Sequence, residues 1–309
     1  MEDHAVTRDL TWTEPYDLIR TFAPLVRGQG DRTIRLSSSR IWWTTRTADG
    51  PASVEVRRVD GGFRVSGWGP GSTDLVGRAD RLLGIDDAGH GIAMLDATEG
   101  NLVARLARRY PGVRLTRTEA VLDALVPAIL EQKVTGTEAH RAWNGLVRTL
   151  GEPAPGPPGN AGLRLAPAPA ALARLPDHAF HRIGLEGRRA ALVRRVAREA
   201  DRVEATTASG SAAASAVLDA IPGIGPWTVA EVAVRAWGDP DAVSVGDFHL
   251  KNLVAYALAG EPRADDARML ELLAPYAGRR ALVVRVLELG GPRPPRYGPR
   301  LAPRDIRAI

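Results

Sequence analysis

The apolar residues of this 309-residue chain keep one spacing before about position 97 and another after it. Upstream, Thr33-Ile-Arg-Leu-Ser37, Arg40-Ile-Trp-Trp-Thr-Thr-Arg46, Ser53-Val-Glu-Val-Arg57 and Phe63-Arg-Val-Ser-Gly-Trp68 are short and rich in β-branched and aromatic residues. Several alternate apolar with polar, which sends one face inward and one to water, the pattern of an antiparallel sheet. Asp60-Gly61-Gly62, between two of these runs, is a hairpin signal. A helix is expected before the sheet (about 14–24) and another after it (about 72–83).

Downstream the period is helical. Leu102, Leu106 and Tyr110 share one face, as do Val121, Leu125 and Ile129. Helices are expected at about 118–131, 135–150, 187–203, 211–220, 226–236, 247–258, 265–274 and 279–289. Glu152 to Pro169 is dense in Pro and Gly and reads as a linker or long loop, and the tail Gly290 to Pro299 cannot be helical. The fold class that follows is α+β: an N-terminal antiparallel-sheet domain over 1–110, then an all-α domain over 111–309.

Composition narrows the chemistry. The chain has no cysteine, so disulfides, cysteine nucleophiles, Cys-based zinc sites and cysteine-ligated iron–sulfur clusters are excluded. Lys133 and Lys251 are the only lysines among 41 basic residues, which leaves two candidates for any amine nucleophile. A net charge of +5 is compatible with an anionic partner and decides nothing alone. The polar start Met1-Glu2-Asp3-His4-Ala5 is unlike a signal peptide, and no apolar run approaches the roughly 18 residues of a membrane span. A cytoplasmic protein away from membranes is the expectation.

The most informative stretch is Leu218-Asp-Ala-Ile-Pro-Gly-Ile-Gly-Pro-Trp-Thr-Val-Ala-Glu-Val-Ala233. Amphipathic patterns flank Pro222-Gly223-Ile224-Gly225, so the four residues fit a tight turn between two helices, with proline stopping the first and glycines permitting positive φ. Pro226 suits the first position of the second helix. Backbone amides at that helix start, clear of side chains, can cradle a phosphate without reading base sequence. About 20 residues on, Val243-Ser-Val-Gly-Asp-Phe-His-Leu250 brings an apolar approach to an acid that opens the next helix. Asp247 there is either an N-cap or, at a fixed offset from a phosphate-binding hairpin, a catalytic carboxylate.

Leu218 to Leu250 resembles the helix-hairpin-helix–Gly/Pro–Asp superfamily of DNA base-excision glycosylases, nearest to the 3-methyladenine DNA glycosylase II branch. Ile221-Pro-Gly-Ile-Gly225 matches the hairpin, Trp227-Thr228 follows it as in that branch, and Leu125 to Thr135 resembles the branch's helix-and-Gln segment. The helical half is thereby identified as a helix-hairpin-helix glycosylase core.

The resemblance implies Asp247 as the catalytic residue, and Gly223, Ile224, Gly225, Trp227 and Thr228 at the DNA backbone. It implies a base pocket containing Trp227, Tyr276 and Gln132, with Lys133 as wedge or DNA contact. The partner it implies is double-stranded DNA containing damaged bases, bound by a monomer, and the reaction it implies is hydrolysis of the N-glycosidic bond of an alkylated purine. The hairpin position at which the superfamily's lyases carry a lysine is Trp227, so strand cleavage is not expected. No cofactor or metal is expected, and the resemblance also allows a monovalent cation at the hairpin.

Two positions depart from the branch pattern. Glu231 stands where a second pocket aromatic can occur, and it either draws a cationic base or faces water. Lys133 stands where an apolar wedge is expected. A non-catalytic DNA-binding module and a glycosylase for oxidised or deaminated bases remain rival readings. His178 and His181 have no third metal ligand at suitable spacing, and His249 is read as structural or phosphate-contacting. Gly84 to Gly91 lacks the context of a nucleotide loop. The arginine-rich segment Arg188 to Arg202 is either a phosphate-facing helix or a solvated face.

Overall fold

The computed structural model describes residues 5–86, 90–95 and 101–295, with 302, 303, 305 and 307. Parts of two sequence expectations, 87–89 of the Gly84–Gly91 segment and 296–299 of the tail, lie outside the described residues. The N-terminal sheet has five antiparallel strands: β1 (Val6–Thr11), β2 (Ile34–Leu36), β3 (Arg40–Thr47), β4 (Gly50–Val59) and β5 (Gly62–Trp68), in the order β1-β5-β4-β3-β2. The hairpin at residues 60–62 joins β4 to β5, and a Cβ at Gly62 would stand 1.9 Å from the Leu10 carbonyl oxygen, so the approach of β1 requires glycine there.

One sheet face packs Ile41, Trp43, Val54, Val56, Phe63 and Val65 against α1 (Leu18–Phe22), α2 (Ser72–Gly77) and α3 (Ala79–Leu83). The 152–169 stretch, expected as a linker or loop, instead covers part of the opposite face and contains the short α7 (Gly156–Asn160). Ser53 Oγ donates to the Pro155 carbonyl (2.6 Å), Thr44 Oγ1 to that of Arg164 (2.7 Å), and Arg46 pairs with Glu152 (2.9 Å). Hydroxyls on the sheet thus bind carbonyls of a segment whose prolines cannot donate to a ladder.

Two helical cores follow. The first contains α5 (Val121–Glu131), α6 (Gly136–Leu150), α8 (Pro169–Arg174), α9 (Asp177–Arg182), α10 (Gly187–Arg198), α11 (Ala200–Glu204), α12 (Gly210–Asp219) and α13 (Pro226–Val232), the last widening into a π turn at Ala233–Trp237. The second joins Ile92, Leu95, α4 (Leu102–Arg109), Val113 and Leu115 to α14 (Leu250–Ala259), α15 (Asp266–Leu273) and α16 (Arg280–Gly290). Ile92, Leu95 and α4, which fall within the 1–110 domain of the sequence reading, pack in this second core with the C-terminal helices. Among the described residues no helix is long and apolar enough to cross a membrane.

The N-terminus of α5 is capped from a distance. Its flanking residue Ala120 offers no side-chain acceptor, and the Glu204 carboxylate takes the N–H groups of Val121 (2.9 Å) and Leu122 (2.8 Å). Burial pushes the Glu204 carboxyl up to about 7, and burial likewise pushes Asp123 in the same turn up to about 6.

Candidate active site

The hairpin is held by local stereochemistry and by two neighbouring helices. Gly223 has φ +102, and a Cβ on it would meet the Leu192 side chain at 3.2 Å. Gly225 is extended (φ −121, ψ 179), so only one of the two glycines uses positive φ. A Cβ at Gly225 would meet nothing within 4 Å, so the fold itself makes no demand for glycine there. Gln132, at the end of α5, donates from its amide nitrogen to the Gly223 carbonyl (3.1 Å) and to Thr228 Oγ1 (3.0 Å). From α10, Arg195 donates to the Pro222 carbonyl (2.8 Å).

Ile224, expected at the DNA backbone, is built into the turn. Its side chain is buried in the first helical core and its N–H donates to the Ile221 carbonyl (3.0 Å). Among the described residues no side chain caps the backbone amides at the start of α13, where Gly225 precedes the helix and Pro226 has no N–H.

Asp247 lies half-buried opposite this helix start and engages both its oxygens. Oδ1 accepts the N–H groups of His249 (2.7 Å) and of Leu250 (2.8 Å), the first residue of α14, so the carboxylate closes the turn that leads into the helix from two residues before its N-cap, His249. Oδ2 accepts the indole N–H of Trp227 (3.1 Å) and so faces α13. The loop before Asp247 is pinned to α13 and to α15. Ser244 Oγ donates to Glu231 Oε1 (2.5 Å), and the Gly246 N–H donates to Asp266 (3.1 Å). Gly246 turns the chain with φ +91. A carboxylate fixed in this way can stabilise a cation or orient a water without reorganising.

A solved structure of a 3-methyladenine DNA glycosylase from Archaeoglobus fulgidus superposes with a TM-score of 0.75, covering 91% of this chain and 97% of that one at 17% identity. The fold is that of the helix-hairpin-helix DNA glycosylases. The 8-oxoguanine glycosylase/lyase of Clostridium acetobutylicum, solved in complex with duplex DNA, has the same glycosylase fold. Its TM-score is 0.66 at 12% identity, covering 93% of this chain and 97% of that one. In sequence, the chain is 30% identical over 175 residues to a Mycobacterium tuberculosis protein described as a probable bifunctional transcriptional activator/DNA repair enzyme AlkA. That match takes in 56% of this chain and spans about a third (34%) of the relative's length. No family model matches the sequence.

Within the glycosylase fold, hydrogen bonds join Gln132, Gly223 and Thr228 on one side and Trp227 and Asp247 on the other. They do not extend to Tyr276 or Lys133. Tyr276 ends the short turn Ala274–Tyr276 and packs, partly buried, against the C-terminal lobe; burial raises its hydroxyl above the usual range. Lys133 is exposed at φ +55, a left-handed conformation rare for a residue with a Cβ and costing on the order of 1 kcal/mol. Gln132 is fixed on one side of it, and a capping box of Thr135 and Glu138 starts α6 on the other.

Glu231 is partly buried and already engaged. Its carboxylate pairs with Arg235 (2.7 Å) and accepts from Ser244. Phe248, which the sequence reading passed over, is 77% exposed beside Asp247, its ring edge-on to His249 at 4.9 Å. His178 and His181 lie exposed on α9. Among the described residues no group of three or more His, Cys, Asp or Glu side chains is placed to hold a metal.

Proposed function

We propose that the chain is a monofunctional DNA glycosylase that hydrolyses the N-glycosidic bond of alkylated purines in duplex DNA. The observation that carries this reading is the pairing, within a glycosylase fold, of a carboxylate fixed at Asp247 with open backbone amides at the start of α13. The names of the similar proteins support the alkylated-base class.

A base inside the duplex is out of reach, so the nucleotide must be flipped, at a cost of a few kcal/mol in lost stacking. Departure of the base builds positive charge on the sugar, as in an oxocarbenium-like transition state. Asp247 then stabilises that charge through its carboxylate and orients or deprotonates the attacking water. An alkylated purine already carries positive charge and leaves without an obligatory second acid. The half-buried indole of Trp227 offers an electron-rich face to such a base while its N–H holds Asp247.

Strand cleavage would require an amine at the reacting sugar. Trp227 occupies the hairpin position at issue, and Lys251 lies near Asp266 (3.8 Å). The test is incubation of methylated duplex with enzyme, then alkali or borohydride. The reading expects strands intact until alkali is added; a borohydride-trapped complex defeats the hydrolytic assignment.

Gly225→Ala gives a separate expectation. The added methyl meets open space in the protein but stands where a phosphate would approach the α13 amides. Thermal stability should fall by no more than about 1 kcal/mol, while affinity for duplex DNA falls at least about tenfold, or about 1.4 kcal/mol. Equal DNA affinity for the two proteins would remove the hairpin from the interface.

A further inference from the structure

We propose that the exposed arginine face of α10 forms a phosphate track continuous with the hairpin, extending the contact to a duplex DNA backbone. The inference rests on the DNA-glycosylase reading. Helix α10 spends two of its arginines internally: Arg189 is buried and donates to the Leu130 carbonyl (2.6 Å), and Arg194 pairs with Asp177 (2.6 Å) and lies over the Phe180 ring. Arg188, Arg195 and Arg198 are exposed. At about 100° per residue they fall within a sector of about 80°, on one side of the helix.

That side meets the hairpin. Arg195 bonds the Pro222 carbonyl, and Leu192 abuts Gly223. From Arg188 to Arg198 the helix rises about 15 Å, the axial length of about four base pairs. A merely solvated face would balance these charges with acids one turn away. Positions 184, 185, 191 and 192 around Arg188 hold none. Glu199 is taken by Arg202 (2.6 Å). Asp201 is exposed, and among the described residues it forms no ion pair with Arg198. Such a surface recognises charge spacing and reads no base sequence.

The experiment is a salt titration of binding to a fluorescent, undamaged duplex oligonucleotide, comparing wild type with Arg188→Gln/Arg198→Gln. Arg195 is left in place because it holds the hairpin. A charge-matched control, Arg108→Gln/Arg109→Gln on α4, removes two exposed arginines from the C-terminal lobe. Melting temperature checks folding of both variants. The track predicts that the slope of log K against log salt shrinks by about 1.8 in the α10 variant, about 0.9 per phosphate. Affinity near 0.1 M salt should fall at least about tenfold, with the control unchanged. A slope equal to wild type, or an equal loss in the control, overturns the track. Base release from methylated duplex is scored on wild type alongside: DNA binding without release defeats the glycosylase reading and leaves the track standing.

Discussion

Asp247→Asn should reduce the single-turnover rate of methylpurine release by about 10²–10⁴-fold, the range seen when a positioned acid–base or charge-stabilising group is removed. The amide is nearly isosteric, and Asn is as good a helix cap as Asp. Its oxygen can still accept from the N–H groups of His249 and Leu250, so α14 keeps its start. The negative charge is lost, and the amide nitrogen meets the Trp227 indole N–H donor to donor, ending the bond that now spans 3.1 Å. The hairpin remains held by Gln132 and Arg195, so affinity for undamaged duplex should stay within a few-fold of wild type. Quench-flow or manual single-turnover assays on methylated duplex, with anisotropy for binding, measure both quantities. Comparable losses in rate and affinity would make Asp247 a structural cap and no more.

Stability should fall as pH rises from 6.5 to 8. Burial raises the Glu204 carboxyl to about 7 and that of Asp123 to about 6. A carboxyl whose folded value exceeds its unfolded value holds its proton more tightly when folded. Its contribution is therefore present below the unfolded value of about 4.5 and is lost as pH climbs through about 7. For Glu204 alone the change between pH 5 and 8 is about 2–3 kcal/mol. His90, lowered by burial, works in the opposite direction at the acid end, where stability is lost as pH falls below its unfolded value near 6.5. The clean window is thus pH 6.5 to 8. Denaturant unfolding across that window should show a declining free energy for wild type and a flatter one for Glu204→Gln, which keeps one acceptor for the α5 amides. A wild-type stability that rises with pH, or an unchanged slope in the variant, contradicts this assignment.

What the sequence made legible was local. The hairpin could be read because Pro222, Gly223 and Pro226 restrict the backbone wherever they occur, and the Asp247 turn because an acid opens a helix after an apolar approach. β1 escaped because Val6–Thr11 has only two apolar residues, Val6 and Leu10, lies at a sheet edge and buries none of its residues fully. The short helices α8 and α9 escaped because each spans only six residues, too few to show a helical period. The 152–169 stretch was read as a linker or long loop because proline and glycine advertise irregular backbone, but its docking on the sheet was hidden because the hydroxyls that hold it lie more than a hundred positions away.

The site divides along the same line. The residues that carry charge and open amides were readable, but those that fix them are non-local. Glu204 caps α5 across 83 positions, Gln132 reaches the hairpin across 91, and Asp266 reaches Gly246 across 20. The partners of Glu231 were hidden for this reason. Alone it is an acid near a hairpin; in the fold it is one end of a brace through Ser244 to the loop that presents Asp247.

The central claim is hydrolytic release of a damaged base, and a mass-spectrometric inventory of free bases tests it most directly. Wild type and Asp247→Asn would be incubated with alkylated, deaminated and oxidised duplexes, and the released bases identified. The account predicts methylated purines from the alkylated duplex with wild type only, and an intact sugar–phosphate strand. Release confined to deaminated or oxidised bases would move the substrate class, and DNA binding with no base released from any duplex would contradict the account.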